Sequence, residues 1–475
     1  MRSRAATADS RLSLWLRVRE FAVPPSMIES ATDRRRVGDW AGACAAARID
    51  VDLSVRSAAR AYGRELAARV RADLRHLAPD LLRWQMPRVA PDGLLRPGLT
   101  ISLARYEPAG RDGAGSVHLV VRTPPAWADA GQRMSLALWD GSRAGEESCS
   151  HPHPRPDRRF RLDLHRHLWD ARRADELRVR SGADRLAGDD FPATPPDPSG
   201  VVPRGGRCAV HRWPAEAAIL LRAEGRANGT VAVRLGARHR LILDVVAGGD
   251  GLGPPTARIT AASTRDGAAR LPVLPDAATW VPPDLELLHS GLIDADRLHP
   301  LVAAALVPDH PPAGPPREPD RVGRPRLVEC RGARHRIGLV DGVLAPLDHD
   351  PAEVRREELL AALTGTPIPC LQAIDEAHRH PECLDDVRAR LDHGDTAGAL
   401  SVVEGLLGPD ALLRVGALRD ELETAALRRI PYGLFRAGLV GSGPGPVAPD
   451  RRRTRDPHCR GTRDHRTHPR HATYR

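Results

Sequence analysis

The sequence predicts a mixed α+β chain, because two hydrophobic periods occupy different stretches of it and turn-forming residues separate them. Between residues 98 and 140 apolar side chains alternate with period two, whereas over 54–77 and beyond 350 they recur every three to four. At 475 residues the chain exceeds one ordinary core, so two to three domains are expected. The expected order is a helical region over 1–95, a β-rich module over 96–182, a linker over 183–206 and a second β-rich module over 207–307. A Pro-rich linker over 308–325, a hairpin-plus-helix module over 326–440 and a disordered Arg/His-rich tail over 441–475 complete it.

Residues 1–12 read as a disordered leader. Two short helices joined at Gly38-Asp39 are expected between Ser26 and Ala47. One longer helix from Ser54 to Leu77 carries Val55, Ala59, Tyr62, Leu66, Val70 and Leu74 on one face, and Pro79 stops it. Its other face bears Arg56, Arg60, Arg64, Arg69, Arg71 and Arg75. Without Phe or Trp opposite them, this is expected to be a core helix with a solvated Arg face rather than a membrane or nucleic-acid binder. GLTISLARY, SVHLVVRT and QRMSLALWD read as three antiparallel strands. The stretch from Phe160 to Gly182 reads as strand, short helix and strand.

In the second β-rich module AAILLRAEG, TVAVRLGARHRLILDVV and TARITAAS are the expected strands, with helices near Asp284–His289 and Ala295–Leu306. Seven Pro in the eighteen residues 308–325 make a stiff, extended spacer. The last module opens with the hairpin RLVECRGARHRIGLVDG. A helix follows, with Asp350 as cap, Pro351 at its first position and Glu353 closing a capping box. Further helices are expected over 371–380, 384–391, 395–407 and 410–428.

Composition narrows the chemistry. All 71 basic residues of the Lys+Arg count are Arg, so no Walker, kinase-type or Schiff-base lysine exists. Only one Asn and few Phe or Tyr accompany them, as a GC-rich coding sequence would give, and this weakens any link between the basic charge and nucleic acid. Of the net charge of +10, residues 451–475 supply nine Arg against Asp456 and Asp464, a net +7, leaving +3 for the other 450. Seven scattered Cys without a CxxC pair argue for reduced thiols and a cytoplasmic location. The stretch after MRSRAATADSR is interrupted by Arg17, Arg19 and Glu20, so no signal-peptide core is expected. The longest uncharged apolar run, Leu301 to Val307, is too short to span a bilayer.

Two clusters offer metal-ligand types. Cys149, His151 and His153, with His165 and His167 beyond, sit in a loop-like stretch. On an extended strand alternate residues are about seven ångströms apart, too wide for one ion. Cys370, His378, His380 and Cys383 form the second cluster, whose two His diverge on a helix. The expectation is therefore no bound metal, no cofactor and well under one zinc per chain. Asp348-His349-Asp350-Pro351 resembles the opening of an HNH nuclease motif, but EVRREELLAAL supplies neither the Asn nor the distal His. Gly249–Gly253 follows a strand, yet Pro254 and Pro255 forbid the helix a dinucleotide loop needs.

Two internal echoes stand out. GARHR recurs at 236–240 and 332–336, each between strand-like segments; chance recurrence in an Arg-rich chain is the favoured reading, and a duplicated ligand-binding hairpin the alternative. Gly38-Asp39-x-Ala41-Gly42-Ala43 matches Gly394-Asp395-x-Ala397-Gly398-Ala399. Each resembles the middle of a tetratricopeptide helix hairpin, but that repeat's aromatic and Pro positions are missing and the copies lie 356 residues apart. Two similar helical hairpins are expected, and no solenoid.

With no catalytic residue assignable, the sequence is read as a cytoplasmic, non-enzymatic scaffold or adaptor with a protein partner and no membrane. The alternatives are nucleic-acid binding through the Arg-rich tail and metal-dependent hydrolysis at a Cys/His cluster.

Overall fold

A computed structural model describes residues 11–107, 115–141, 151–185, 208–236, 239–246, 254–261, 271–310, 326–340, 343–379, 383–407 and 416–439. It is a mixed α+β structure with several small sheets. The expected linker (apart from its first residues, 183–185), most of the Pro-rich spacer, the Gly249–Gly253 run and the basic tail lie outside these residues. No helix among them is long and apolar enough to cross a membrane. The chain divides into two compact units, one formed by 1–129, 133–313 and 438–475 and the other by 130–132 and 314–437.

In the first unit the chain is already helical at 11–22, where a leader was expected to reach residue 12. Helices Pro25–Arg36 and Trp40–Ala46 follow. They meet at Gly38, whose φ of +78° suits glycine. Asp39 holds the corner with one carboxylate. Its Oδ1 accepts from Gly42 N at 2.8 Å, and its Oδ2 accepts from Arg34 Nη1 at 2.8 Å. The second unit repeats the device. Gly394 has φ +81°, Asp395 Oδ1 accepts from Gly398 N at 3.3 Å and Arg390 Nη1 donates to Asp395 Oδ2 at 3.2 Å.

In both corners a Cβ on the glycine inside the helix would lie 2.0 Å from the Asp Oδ2. Helix propensity favours Ala over Gly by about 1 kcal/mol, but displacing the cap costs about 0.5–2 kcal/mol. Gly42→Ala is therefore expected to lower stability slightly in urea titration. A variant stabilised by the full propensity gain would show that the corner does not depend on this carboxylate.

Strands β1 (Ile49–Val51), β2 (Thr100–Tyr106), β3 (Val117–Arg122) and β4 (Met134–Trp139) form a sheet in the order β1-β4-β3-β2. The three longer strands are the predicted ones and pair antiparallel, with Ile101 opposite Val121 and Leu119 opposite Leu138. β1 adds a parallel edge, Ile49 opposite Met134. Six of the seven β2 residues are buried, so this strand is covered on both faces.

The helix expected over 54–77 is broken in two, Val55–Tyr62 and Arg64–His76, by Gly63 at φ +94°. Its six Arg are exposed while Leu66, Val70 and Leu74 join the core that holds Ile101, Leu119 and Leu136. Asp73 alone on the polar side is buried. It accepts from Tyr106 Oη at 2.7 Å and Arg172 Nη2 at 2.8 Å, and also from Arg166. Asp170 accepts from the same two guanidinium groups at 2.8 Å each.

The strands expected between Phe160 and Gly182 do not form. The segment runs as short 3₁₀ turns and a helix, Glu176–Ser181. Local bonds compete with a ladder there. Asp170 Oδ1 accepts from Arg172 N at 3.1 Å, and the indole of Trp169, buried, donates to Leu162 O at 3.0 Å.

AAILLRAEG is also a correction. It lies in a helix, Trp213–Ala223, that begins with Pro214 in its first turn. That helix packs Trp213, Ala217, Leu220 and Leu221 into one cluster with Val231, Val233, Leu241 and Leu243 of an antiparallel meander. The meander is β5 (Gly229–Arg234), β6 (Arg240–Val246) and β7 (Thr256–Ala261), as predicted. Helices Pro283–His289 and Pro300–Leu306 instead bury Leu285, Leu287, Val302 and Leu306 in the larger core of the preceding sheet.

The second unit starts with an antiparallel sheet of β8 (Arg326–Cys330), β9 (Ala333–Val340) and β10 (Val343–Pro346). Helices Pro351–Thr364, Pro369–Arg379, Leu384–Asp392, Thr396–Leu407 and Ala417–Arg436 follow. Its apolar cluster is small: Val387, Leu391, Ala399, Val403 and Leu418 are its buried members.

Candidate metal centre

The β8–β9 hairpin turns through Arg331 and Gly332, with φ of +55° and +80°. Positive φ at both central residues matches the right-handed twist of the strands and places Cys330 directly opposite Ala333. His335, two residues further along β9, lies opposite Val328, so Cys330 and His335 are diagonal neighbours on the inward face of the pair. Cys330 is buried, His335 half-buried and Ile337 buried, while the intervening Arg334 and Arg336 are exposed.

His349 arrives from the turn after β10, and an exposed clamp fixes that turn. Leu347 N donates to Arg336 O at 2.8 Å, and Asp348 Oδ2 accepts from Arg336 N at 2.7 Å. Asp348 Oδ1 also accepts from Arg336 Nη2 at 2.7 Å. Hydrogen bonds from the Arg336 side chain and backbone hold the Asp348 carboxyl down at about 2. Asp350 then caps the helix, its Oδ1 accepting from Ala352 N at 2.8 Å. Cys370 comes from the second residue of helix Pro369–Arg379.

These four side chains meet. One ligand atom from each of Cys330, His335, His349 and Cys370 lies within 4.8 Å of all the others. His335 Nδ1 and His349 Nε2 are 2.5 Å apart. Both sulfurs belong to fully buried thiols outside any disulfide, and the His349 side chain is 4% exposed. Burial first, then the hydrogen bond and charge of Cys330, push the Cys370 thiol up to about 11. Among the described residues this is the one group of three or more such donors close enough to share an ion.

The clusters expected from sequence fare differently. Cys149 and the His380 position lie outside the described residues, as does the side chain of His378. His151 is consumed by the backbone: Nε2 donates to Thr123 O at 2.8 Å and Nδ1 accepts from His153 N at 3.2 Å. Its own burial, the largest influence, lowers its pKa. His165 faces Arg161 O at 3.0 Å and Glu216 Oε2 at 3.1 Å. Burial holds the nearby His167 well below the usual imidazole range. Cys370 does sit in a cluster, but with Cys330, His335 and His349 rather than with Cys383.

Sequence reasoning grouped only Cys370 with other metal-ligand types; His335 lay in the second GARHR copy and His349 in the nuclease-like stretch, neither joined to it. The available signal was the hairpin register. A Cys just before a two-residue turn and a His three residues after that turn share a face of the strand pair. The second GARHR copy supplies that His, whereas His239 of the first copy is exposed in the β5–β6 loop. No family model matches the chain, and no curated protein or solved structure matches it either.

Proposed function

We propose that the chain is a non-enzymatic, cytoplasmic scaffold or adaptor that holds a protein partner. The observation that carries this reading is the closure of the four-donor cluster. Four donors from one chain would fill the four positions of a structural zinc site, whereas a catalytic site keeps a position open for water or substrate. Three of the four donors are also almost wholly excluded from solvent. Such a centre serves architecture, and this argues against the hydrolase alternative. The other His-rich stretch supports the same view, since His151 and His165 are engaged in hydrogen bonds that position loops. The wide scatter of the seven Cys along the sequence, without a CxxC pair, supports a reducing compartment.

Isolating the protein from its native cells after mild cross-linking tests this reading. One partner protein is expected to be retained in fixed ratio through nuclease treatment and high salt. Retention that vanishes with nuclease or salt would transfer the function to nucleic-acid binding. Turnover of phosphoester or amide substrates that stops on metal chelation would make the protein an enzyme.

A further inference from the structure

We propose that Cys330, His335, His349 and Cys370 bind one zinc ion as a structural Cys₂His₂ centre; its structural role rests on the reading above, its occupancy does not. The spacing is Cys-x₄-His-x₁₃-His-x₂₀-Cys, spread over a hairpin, a turn and a helix start.

Three independent observations support an ion here. The first is donor chemistry. Two thiols and two imidazoles are the set zinc prefers, and softer or harder metals favour other combinations. His335 Nδ1 and His349 Nε2, 2.5 Å apart, stand at hydrogen-bond distance, and they part to roughly 3.3 Å when both ligate one tetrahedral ion. A hydrogen-bonded His pair would account for those two rings alone, and not for two buried thiols converging on the same point.

The second is the surroundings of His349. With Nε2 turned to the cluster, its Nδ1 faces Glu353 Oε2 at 3.7 Å. Glu353 is itself held by Arg331 Nη1 at 2.6 Å, and the other Nη of Arg331 reaches Glu357 at 2.5 Å. A carboxylate behind the far nitrogen of a ligating His orients the ring and raises its basicity. The predicted capping box is thus replaced: Glu353 serves Arg331 and His349.

The third is how few apolar side chains are buried around the hairpin among the described residues. Helix Pro351–Thr364 contributes no buried residue, and around the hairpin burial is concentrated at Cys330, Ile337, Pro346 and Cys370. The sheet packs against helix Pro369–Arg379, which brings Cys370, and a small module with so few buried apolar side chains is one that zinc commonly staples. Binding deprotonates both thiols, releasing two protons to solvent as two Zn–S bonds form.

The test uses the full chain purified without a polyhistidine tag. Elemental analysis is expected to give about one zinc per chain, falling at least fivefold in Cys330→Ser and Cys370→Ser and unchanged in Cys383→Ser. Because the Ser variants can lose zinc simply by misfolding, cobalt exchange into the wild-type chain provides a second readout. Strong visible bands of tetrahedral cobalt and a thiolate charge-transfer band are expected. Absence of bound metal together with no uptake of added zinc would overturn the proposal. So would an octahedral cobalt spectrum, or equal zinc loss in Cys383→Ser. Failure to find a partner protein would leave these results untouched and count against the adaptor reading alone.

Discussion

Chelating the zinc from the intact chain is expected to strip hydrogen-exchange protection from residues 326–379 while strands β2 to β4 keep theirs. The hairpin, the turn at His349 and the start of helix Pro369–Arg379 supply the four proposed ligands, and few apolar side chains are buried around them among the described residues. Binding energy at such a site is folding energy, because the unfolded chain holds no preformed shell. With free zinc at about a thousand times Kd, the ion contributes about 4 kcal/mol, or about a thousandfold in protection. Strands β2 to β4 draw on a separate, much larger cluster that includes Ile101, Leu119, Leu136 and Trp169. Amide exchange followed by mass spectrometry, before and after chelation verified by elemental analysis, measures both regions in one experiment. Undiminished protection in β9 after the zinc has gone would remove the staple argument.

Glu216→Gln is expected to cost about 3–5 kcal/mol, the range for breaking a buried charge cluster from one side. Glu216 is almost fully buried, and its carboxylate accepts from Arg180 Nε and Nη2 at 2.7 Å each and from Arg212 Nη2 at 2.6 Å. His165 Nε2 lies 3.1 Å away. Gln keeps the shape and removes the charge, leaving two guanidinium groups without their main counter-ion. Burial alone would raise the Glu216 pKa. The hydrogen bonds from His165 and Arg180 outweigh it and hold the group well below the usual carboxylate range.

The sign of the pH effect follows. A depressed folded pKa stabilises the protein fully above the unfolded value of about 4.3, and the gain is lost as pH falls toward the folded value. The stability gap between wild type and variant should therefore be widest near pH 7 and narrow steadily below about pH 4. Urea titrations at several pH values measure it. A gap independent of pH would mean that Glu216 acts through shape alone.

The regular parts of this fold were legible where one period ran without competition. Ile101, Leu103 and Leu136 alternate with less apolar neighbours, and all lie in the predicted strands. AAILLRAEG misled because a short continuous apolar run has no period, and Pro214 just ahead of it was the better guide. The segment after Phe160 misled because its Arg and Asp residues pair within a few positions of one another and curl the chain into turns. At the metal centre the two helix-borne His near Cys370 drew attention by proximity in sequence. The actual partners come from 21 to 40 residues away, and only the hairpin register and the Arg336–Asp348 clamp bring them round. The Gly-Asp corners show the reverse case, in which five matching residues within 38–43 and 394–399 were enough to specify the same pattern of bonds.

The paired carboxylates Asp73 and Asp170, gripped by Arg166 and Arg172, have a consequence for how the first unit behaves on heating. Ions become cheaper to dehydrate as temperature rises, whereas the gain per unit of buried apolar surface levels off. The tie between helix Arg64–His76 and the turns at 166–173 therefore strengthens relative to its apolar surroundings as the protein is warmed. Near the melting point this should be among the last contacts of the unit to part, and a chain with Arg in place of every Lys is well furnished with such heat-tolerant fastenings.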